Sequence, residues 1–242
     1  MVRGGSILAA TISLLEKSAA PGVSTGDLDR IAEDFIRSHE GARPSFKGLY
    51  GFPGSICASI NEEIVHGIPS RKRILREGDL ASLDVGVFFE GFHTDSATTL
   101  AVGEIPDESK RLMSATRAAL RAGITEARLG NHIGDIGAAI ERTVVAAGFS
   151  IVRDLVGHGI GESFHEEPQV PNHGKPKRGP RLQPGMTLAI EPMVNVGRPD
   201  TRTLSDRWTI VAADGSRSAH FEHTIAVTAN GPLILTGSLP ES

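Results

Sequence analysis

The stretch 80–100, LASLDVGVFFEGFHTDSATTL, constrains this chain more than any other. Apolar and β-branched residues flank the two-residue turn signal Glu90-Gly91, so the stretch reads as a β-hairpin. With that loop, Asp84 faces Ala97 and Asp95 faces Gly86. Both aspartates then share one face as diagonal neighbours, with Cβ atoms roughly 7 Å apart. Such a separation is too wide for a hydrogen-bonded pair and suits carboxylates gripping a metal ion, with open space over Gly86 for a second ion. Taken alone, the hairpin is better explained as a solvated acidic face.

At 242 residues, with 39% hydrophobic and 22% charged residues, the chain can bury a substantial core. Its net charge is −4 and its longest basic run is Arg71-Lys72-Arg73, which gives nucleic-acid binding no electrostatic support. Cys57 is the single cysteine, so no intrachain disulfide can form, as suits a reducing compartment. The N-terminus lacks the apolar core of a signal peptide, and no apolar run reaches the about 18 residues of a membrane span. A cytoplasmic protein is expected.

Helical spacing predicts a helix over 4–19, stopped at Pro21-Gly22, and a second from a Ser24 or Thr25 cap to Gly41. A loop rich in Gly, Pro and aromatics follows over 44–53, then a buried strand over 55–61 and a turn at His66-Gly67-Ile68-Pro69. After the aspartate hairpin the pattern restarts, with helices over 107–122 and 133–147. Strands are expected over 149–156 and 186–196, and a second hairpin over 208–228 turning at Asp214-Gly215. The order helix, helix, strands thus occurs twice, which hints at duplicated halves. No linker separates them, and a single domain over 1–242 is expected.

Four other residues are titratable amid apolar or glycine-rich sequence. His158, in GHGIG, reads as an imidazole exposed at a turn. His165 lies in FHEEP, Glu191 interrupts LAIEPM, and Glu222 interrupts FEHTI. A carboxylate inside so apolar a strand is costly unless it meets a cation. Each one singly is more often a sheet-edge or capping residue; together they make coincidence a poor account. Asp84, Asp95, His158, Glu191 and Glu222 suit two divalent ions about 3.5–4 Å apart. Oxygen-rich ligation with one nitrogen favours manganese, iron, cobalt, nickel or zinc over copper, and the natural chemistry is amide hydrolysis. His93 reads as structural, and His223 points to the opposite side of its strand from Glu222.

HGIP at His66, the D-x10-D hairpin, GHGIG, FHEEPQVPN from Phe164, IEPM and FEHTI, in this order, resemble the type I methionine aminopeptidases over nearly the whole chain. The resemblance implies an α+β pita-bread fold, with duplicated halves around a curved antiparallel sheet. It also implies a two-metal centre that removes the initiator methionine when the second residue is small. By resemblance Asp84 ligates the first ion, Asp95 and Glu222 bridge both, and His158 and Glu191 complete the second. His66 and His165 would touch substrate, Glu191 would shuttle the proton, and Phe52, Cys57, Phe164 and Trp208 would line an apolar pocket. The partners would be nascent polypeptide N-termini, with the ribosome exit region as a candidate contact, and the chain a monomer. Leu49 and His220 stand where such proteins usually have Tyr and Gln. Two alternatives share the fold. One is cleavage of X-Pro bonds, as by aminopeptidase P and prolidase, which usually carry a long extra N-terminal domain. The other is a binding protein that has lost its metals, at odds with five intact ligands.

Overall fold

A computed structural model describes residues 1–237. Helix α1 (Val2–Ser18) buries Ile7, Leu8, Thr11 and Leu15 on one stripe. Helix α2 (Thr25–Arg37) starts at Ser24, whose hydroxyl accepts from the Asp27 N–H at 3.0 Å, and buries Leu28, Ala32 and Ile36. These stripes pack on a sheet of β1 (Ala42–Pro44), β2 (Ile56–Ile60), β4 (Leu80–Phe89) and β5 (Phe92–Ala101); β3 (Glu63–Val65) lies outside it. A one-turn 3-10 helix, Leu49–Gly51, interrupts the loop before β2.

Helices α3 (Asp107–Glu126) and α4 (Ile133–Ala146) open the second half. The strands β6 (Ser150–Ile151), β7 (Val156–Gly159), β8 (Glu166–Pro171), β9 (Thr187–Ile190) and β10 (Met193–Asn195) follow, and all of these but β7 contribute to the core the two helices share. The chain finishes with β11 (Thr201–Thr203), β12 (Ile210–Ala212), β13 (Ser218–His220), β14 (His223–Thr228) and β15 (Gly231–Ile234). One sheet runs β15-β14-β9-β7-β8, and all pairings among the described residues are antiparallel. The first helix pair thus covers the four-stranded sheet, while the second packs on strands of two sheets, β13-β10-β6 and β15-β14-β9-β7-β8. The halves are stitched where β5 meets β14: Thr224 Oγ1 donates to the Asp95 carbonyl at 2.7 Å, and the Glu222 N–H donates to the Ala97 carbonyl at 2.9 Å. No helix among the described residues is long and apolar enough to cross a membrane.

Three expectations change. Only Ser150 and Ile151 pair as a strand before β7. The 186–196 strand breaks at Glu191-Pro192, where proline cannot donate to a ladder. The 208–228 hairpin does not form: β12 pairs with β11 and β3, β13 with β10, and β14 with β15. Asp214-Gly215 does turn, but the Asp214 carboxylate accepts from the N–H groups of Arg198 at 2.7 Å and Ser216 at 3.0 Å. The turn is therefore tied to the segment after β10 and sends the chain into a different sheet.

Candidate metal centre

The hairpin register is as expected: Asp84 pairs with Ala97 and Asp95 with Gly86. Glu90 (φ +48°) and Gly91 (φ +91°) take the doubly left-handed form that matches strand twist. One detail differs. The space over Gly86 is not open, since a Cβ there would meet Ser45 Cβ at 2.8 Å, Phe46 Cε1 at 2.9 Å and Phe164 Cε2 at 3.0 Å. The glycine is required by this close approach of an aromatic wall.

His158 is buried on β7 rather than exposed at a turn. Its Nδ1 lies 2.7 Å from the Gly159 carbonyl oxygen, which can only accept, so Nδ1 carries the hydrogen. Nε2 then offers its lone pair towards Asp95 Oδ2 at 3.9 Å and Glu191 Oε1 at 3.7 Å. Burial keeps the ring neutral, with its pKa lowered to about 4. Glu191 and Glu222 sit at the joints β9-β10 and β13-β14, not inside strands. Asn172 fixes the first joint by donating to the Glu191 carbonyl at 3.0 Å.

Asp95, His158 and Glu222 each point one ligand atom to a common spot, all within 4.8 Å of one another. Asp84 Oδ1, Asp95 Oδ1 and Glu222 Oε1 are buried with no hydrogen-bond partner. Burial raises all four carboxyl pKa values, Asp84 to about 7, and mutual repulsion adds to the rise at Asp95, Glu191 and Glu222. Crowded acceptors without donors cost free energy that a divalent cation removes. The donor set fits such an ion.

The model of metallopeptidase family M24 matches residues 1–229. The chain belongs to this family. It is 52% identical to the methionine aminopeptidase of Clostridium acetobutylicum over 98% of this chain and 94% of that one. Methionine aminopeptidase 1 of Bacillus subtilis is equally similar, at 52% over 98% of this chain and 94% of that one. The crystal structure of the Thermotoga maritima methionine aminopeptidase superposes with TM-score 0.96 at 41% identity, over 98% and 95% of the two chains. The Xaa-Pro dipeptidase from Bacillus anthracis gives TM-score 0.80 at 23% identity, over 99% of this chain and 60% of that one, a likeness of fold alone. The architecture is the pita-bread fold, and as an M24 metallopeptidase the protein uses divalent metal.

Within this M24 scaffold a cavity of about 120 Å³ opens on the carboxylates. Every site residue expected from the sequence lines it: Asp84, Asp95, His158, Glu191, Glu222, His66, His165, Phe52, Cys57, Phe164 and Trp208. Rings meet edge to face, Phe46 with Phe164 at 5.2 Å and Phe52 with Trp208 at 5.1 Å. His66 sits at φ +60°, and the Gly67 beside it packs against β2, where a Cβ would meet the Ala58 carbonyl oxygen at 2.3 Å. Burial lowers the pKa of both His66 and His165, favouring the neutral rings. Cys57 is buried beside Asp84, and burial and the neighbouring carboxylates hold its thiol protonated. His93 is structural as expected, with Nδ1 at 2.8 Å from Ser45 Oγ and its ring against Phe88 and Phe164. Phe46 and Tyr50 also line the cavity. The aromatic content of 44–53 was the available signal for them.

Proposed function

We propose that this chain is a methionine aminopeptidase that removes the initiator methionine from nascent polypeptides whose second residue is small. The observation that carries this is the apolar, aromatic-walled slot opening directly on the unpartnered carboxylates, in a chain 52% identical to proteins of that name. Asp84, Asp95, His158, Glu191 and Glu222 would hold two divalent ions. When bound, cobalt, manganese, iron, zinc or nickel ions supply Lewis acidity and bring the pKa of water towards neutrality.

The protein's own groups do the rest. Phe52, Cys57, Phe164 and Trp208 take the unbranched methionine side chain, whose burial contributes about 1.5–3 kcal/mol. His66 and His165, as neutral rings, donate N–H to the substrate carbonyl oxygen as it gains charge. Glu191, whose carboxyl is raised by burial and by Asp95 and Asp84, accepts a proton from water and passes it to the leaving amine. The protein would act as a monomer in the cytoplasm, where nascent chains leave the ribosome.

Protein stripped of metal and reconstituted with manganese or cobalt should cleave Met-Ala-Ser at least about tenfold more efficiently than Ala-Ala-Ser. Faster cleavage of Ala-Pro-Ser than of Met-Ala-Ser would overturn the assignment in favour of an X-Pro peptidase.

A further inference from the structure

Tyr50 is the chain's one tyrosine, and its backbone sits at φ +51°, in the left-handed region that non-glycine residues avoid. It is 73% exposed, so core packing does not account for this conformation. What the conformation achieves is a ring stacked on His165, with centroids 5.8 Å apart and planes 12° from parallel. Tyr50 Oη also lies 3.3 Å from His165 Nδ1. The imidazole also meets His158 edge to face at 4.4 Å and Phe164 at 4.8 Å. The ring of His165 is therefore packed by three other rings, with one of its two nitrogens engaged by Tyr50.

We propose that Tyr50 is a positioning residue for His165: its hydroxyl donates to Nδ1, so the neutral imidazole carries its hydrogen on Nε2. A ring with the opposite tautomer would turn a lone pair, not a donor, towards a substrate oxygen that is gaining negative charge. The inference rests on the peptidase reading for what Nε2 meets, while the tautomer is a property of the folded protein itself.

The experiment uses zinc-loaded protein with ¹⁵N-labelled histidine, in which long-range ¹H–¹⁵N spectra report the His165 tautomer in wild type, Tyr50→Phe and Tyr50→Ala. Wild type should show hydrogen on Nε2. Tyr50→Phe keeps the stacked ring but loses the donor, so its spectrum should move towards the other tautomer. Its kcat on Met-Ala-Ser should fall about tenfold, as for a lost hydrogen bond worth about 1.4 kcal/mol, with KM changed less than about twofold. Tyr50→Ala should fall further, with an unchanged melting temperature. The same tautomer in all three proteins, or wild-type kcat in Tyr50→Phe, overturns the proposal. If no variant, wild type included, cleaves Met-Ala-Ser, the peptidase reading fails while the spectra still decide the role of Tyr50.

Discussion

Glu191 and His220 face each other inside the centre, with Glu191 Oε2 3.7 Å from His220 Nε2. That nitrogen is buried and has no hydrogen-bond partner. Burial, with a smaller contribution from His66, lowers the ring's pKa to about 3, so it is a neutral imidazole with one hydrogen to give. A ligating carboxylate needs such a partner on its outer side to fix its orientation. His220→Leu should therefore weaken metal binding by about 10–100-fold, and His220→Gln, which keeps a donor, should restore most of it. Chelator competition measures the affinity, and an unchanged value in the leucine variant would show the pairing to be incidental.

Metal should also reverse the pH dependence of stability. Asp84 is raised to about 7 by burial, and Asp95, Glu191 and Glu222 are raised by burial and by one another. A carboxyl raised on folding stabilises the fold below its ordinary pKa of about 4, and that contribution is lost as pH rises through the folded value. A cation needs the same groups ionised, so binding releases protons and strengthens with pH. The gap in Tm between loaded and chelator-stripped protein should widen from pH 5 to pH 8. Parallel melting curves over that range would contradict the ligand assignment.

Glu33 on α2 should behave in the opposite sense. Burial alone would raise its pKa, but hydrogen bonds from Lys47 Nζ at 2.6 Å, Arg37 Nε at 2.9 Å and Ser55 Oγ at 3.0 Å bring it down to about 2. Through Lys47 and Ser55 it ties α2 to both ends of the aromatic loop that walls the cavity. Glu33→Gln should destabilise by about 1 kcal/mol, since two of its partners are half-exposed cations. Because a depressed carboxyl stabilises above its unfolded pKa, the difference should be full at pH 7 and shrink as pH falls from about 4.5 towards 2. Urea denaturation at several pH values measures it; a gap that stays constant at low pH would rule out the ionic clamp.

His66→Ala and His165→Ala should each retain metal yet lose turnover by about 10²–10⁴, as for donors acting on the transition state. Elemental analysis beside kcat separates the two effects. Loss of bound metal in either variant would move that histidine into the ligand set.

Local order is legible in this sequence where period and punctuation decide it. The hairpin register follows from a side-chain period of two and a two-residue turn, and the helices follow from apolar stripes, the Ser24 cap and stops such as Pro21-Gly22. The candidate ligands stand out because carboxylates amid apolar sequence need a reason. Pairing between distant strands carries no such local signature, so Trp208 and Thr228 do not end up on one hairpin. The left-handed backbone of Tyr50 is hidden for a related reason, since tyrosine does not advertise that conformation as glycine does. Gly86 is the plainest case. Its sequence context says only that side-chain space is left free, while Phe46 and Phe164, far away on either side in the chain, fill that space.

That filled space gives a direct test of the pocket. A Cβ on Gly86 would crowd Ser45, Phe46 and Phe164, all at 3.0 Å or less. Relief requires the two rings to move, and Phe164 also packs on His158 with centroids 5.5 Å apart. Gly86→Ala should therefore cost about 1–3 kcal/mol of stability, as overpacking does, and push the aromatic wall into the cavity. The proposed ligand atoms belong to other residues, so metal stoichiometry should be kept. A narrowed slot harms a long side chain more than a short one: kcat/KM for Met-Ala-Ser should fall while that for Ala-Ala-Ser changes little. The ratio between them, about 10–200 in wild type by the limits of apolar discrimination, should drop several-fold. If the ratio is unchanged and the variant is folded and metal-loaded, the Phe46–Phe164 wall does not touch the methionine side chain, and the slot must lie against Phe52 and Trp208 instead.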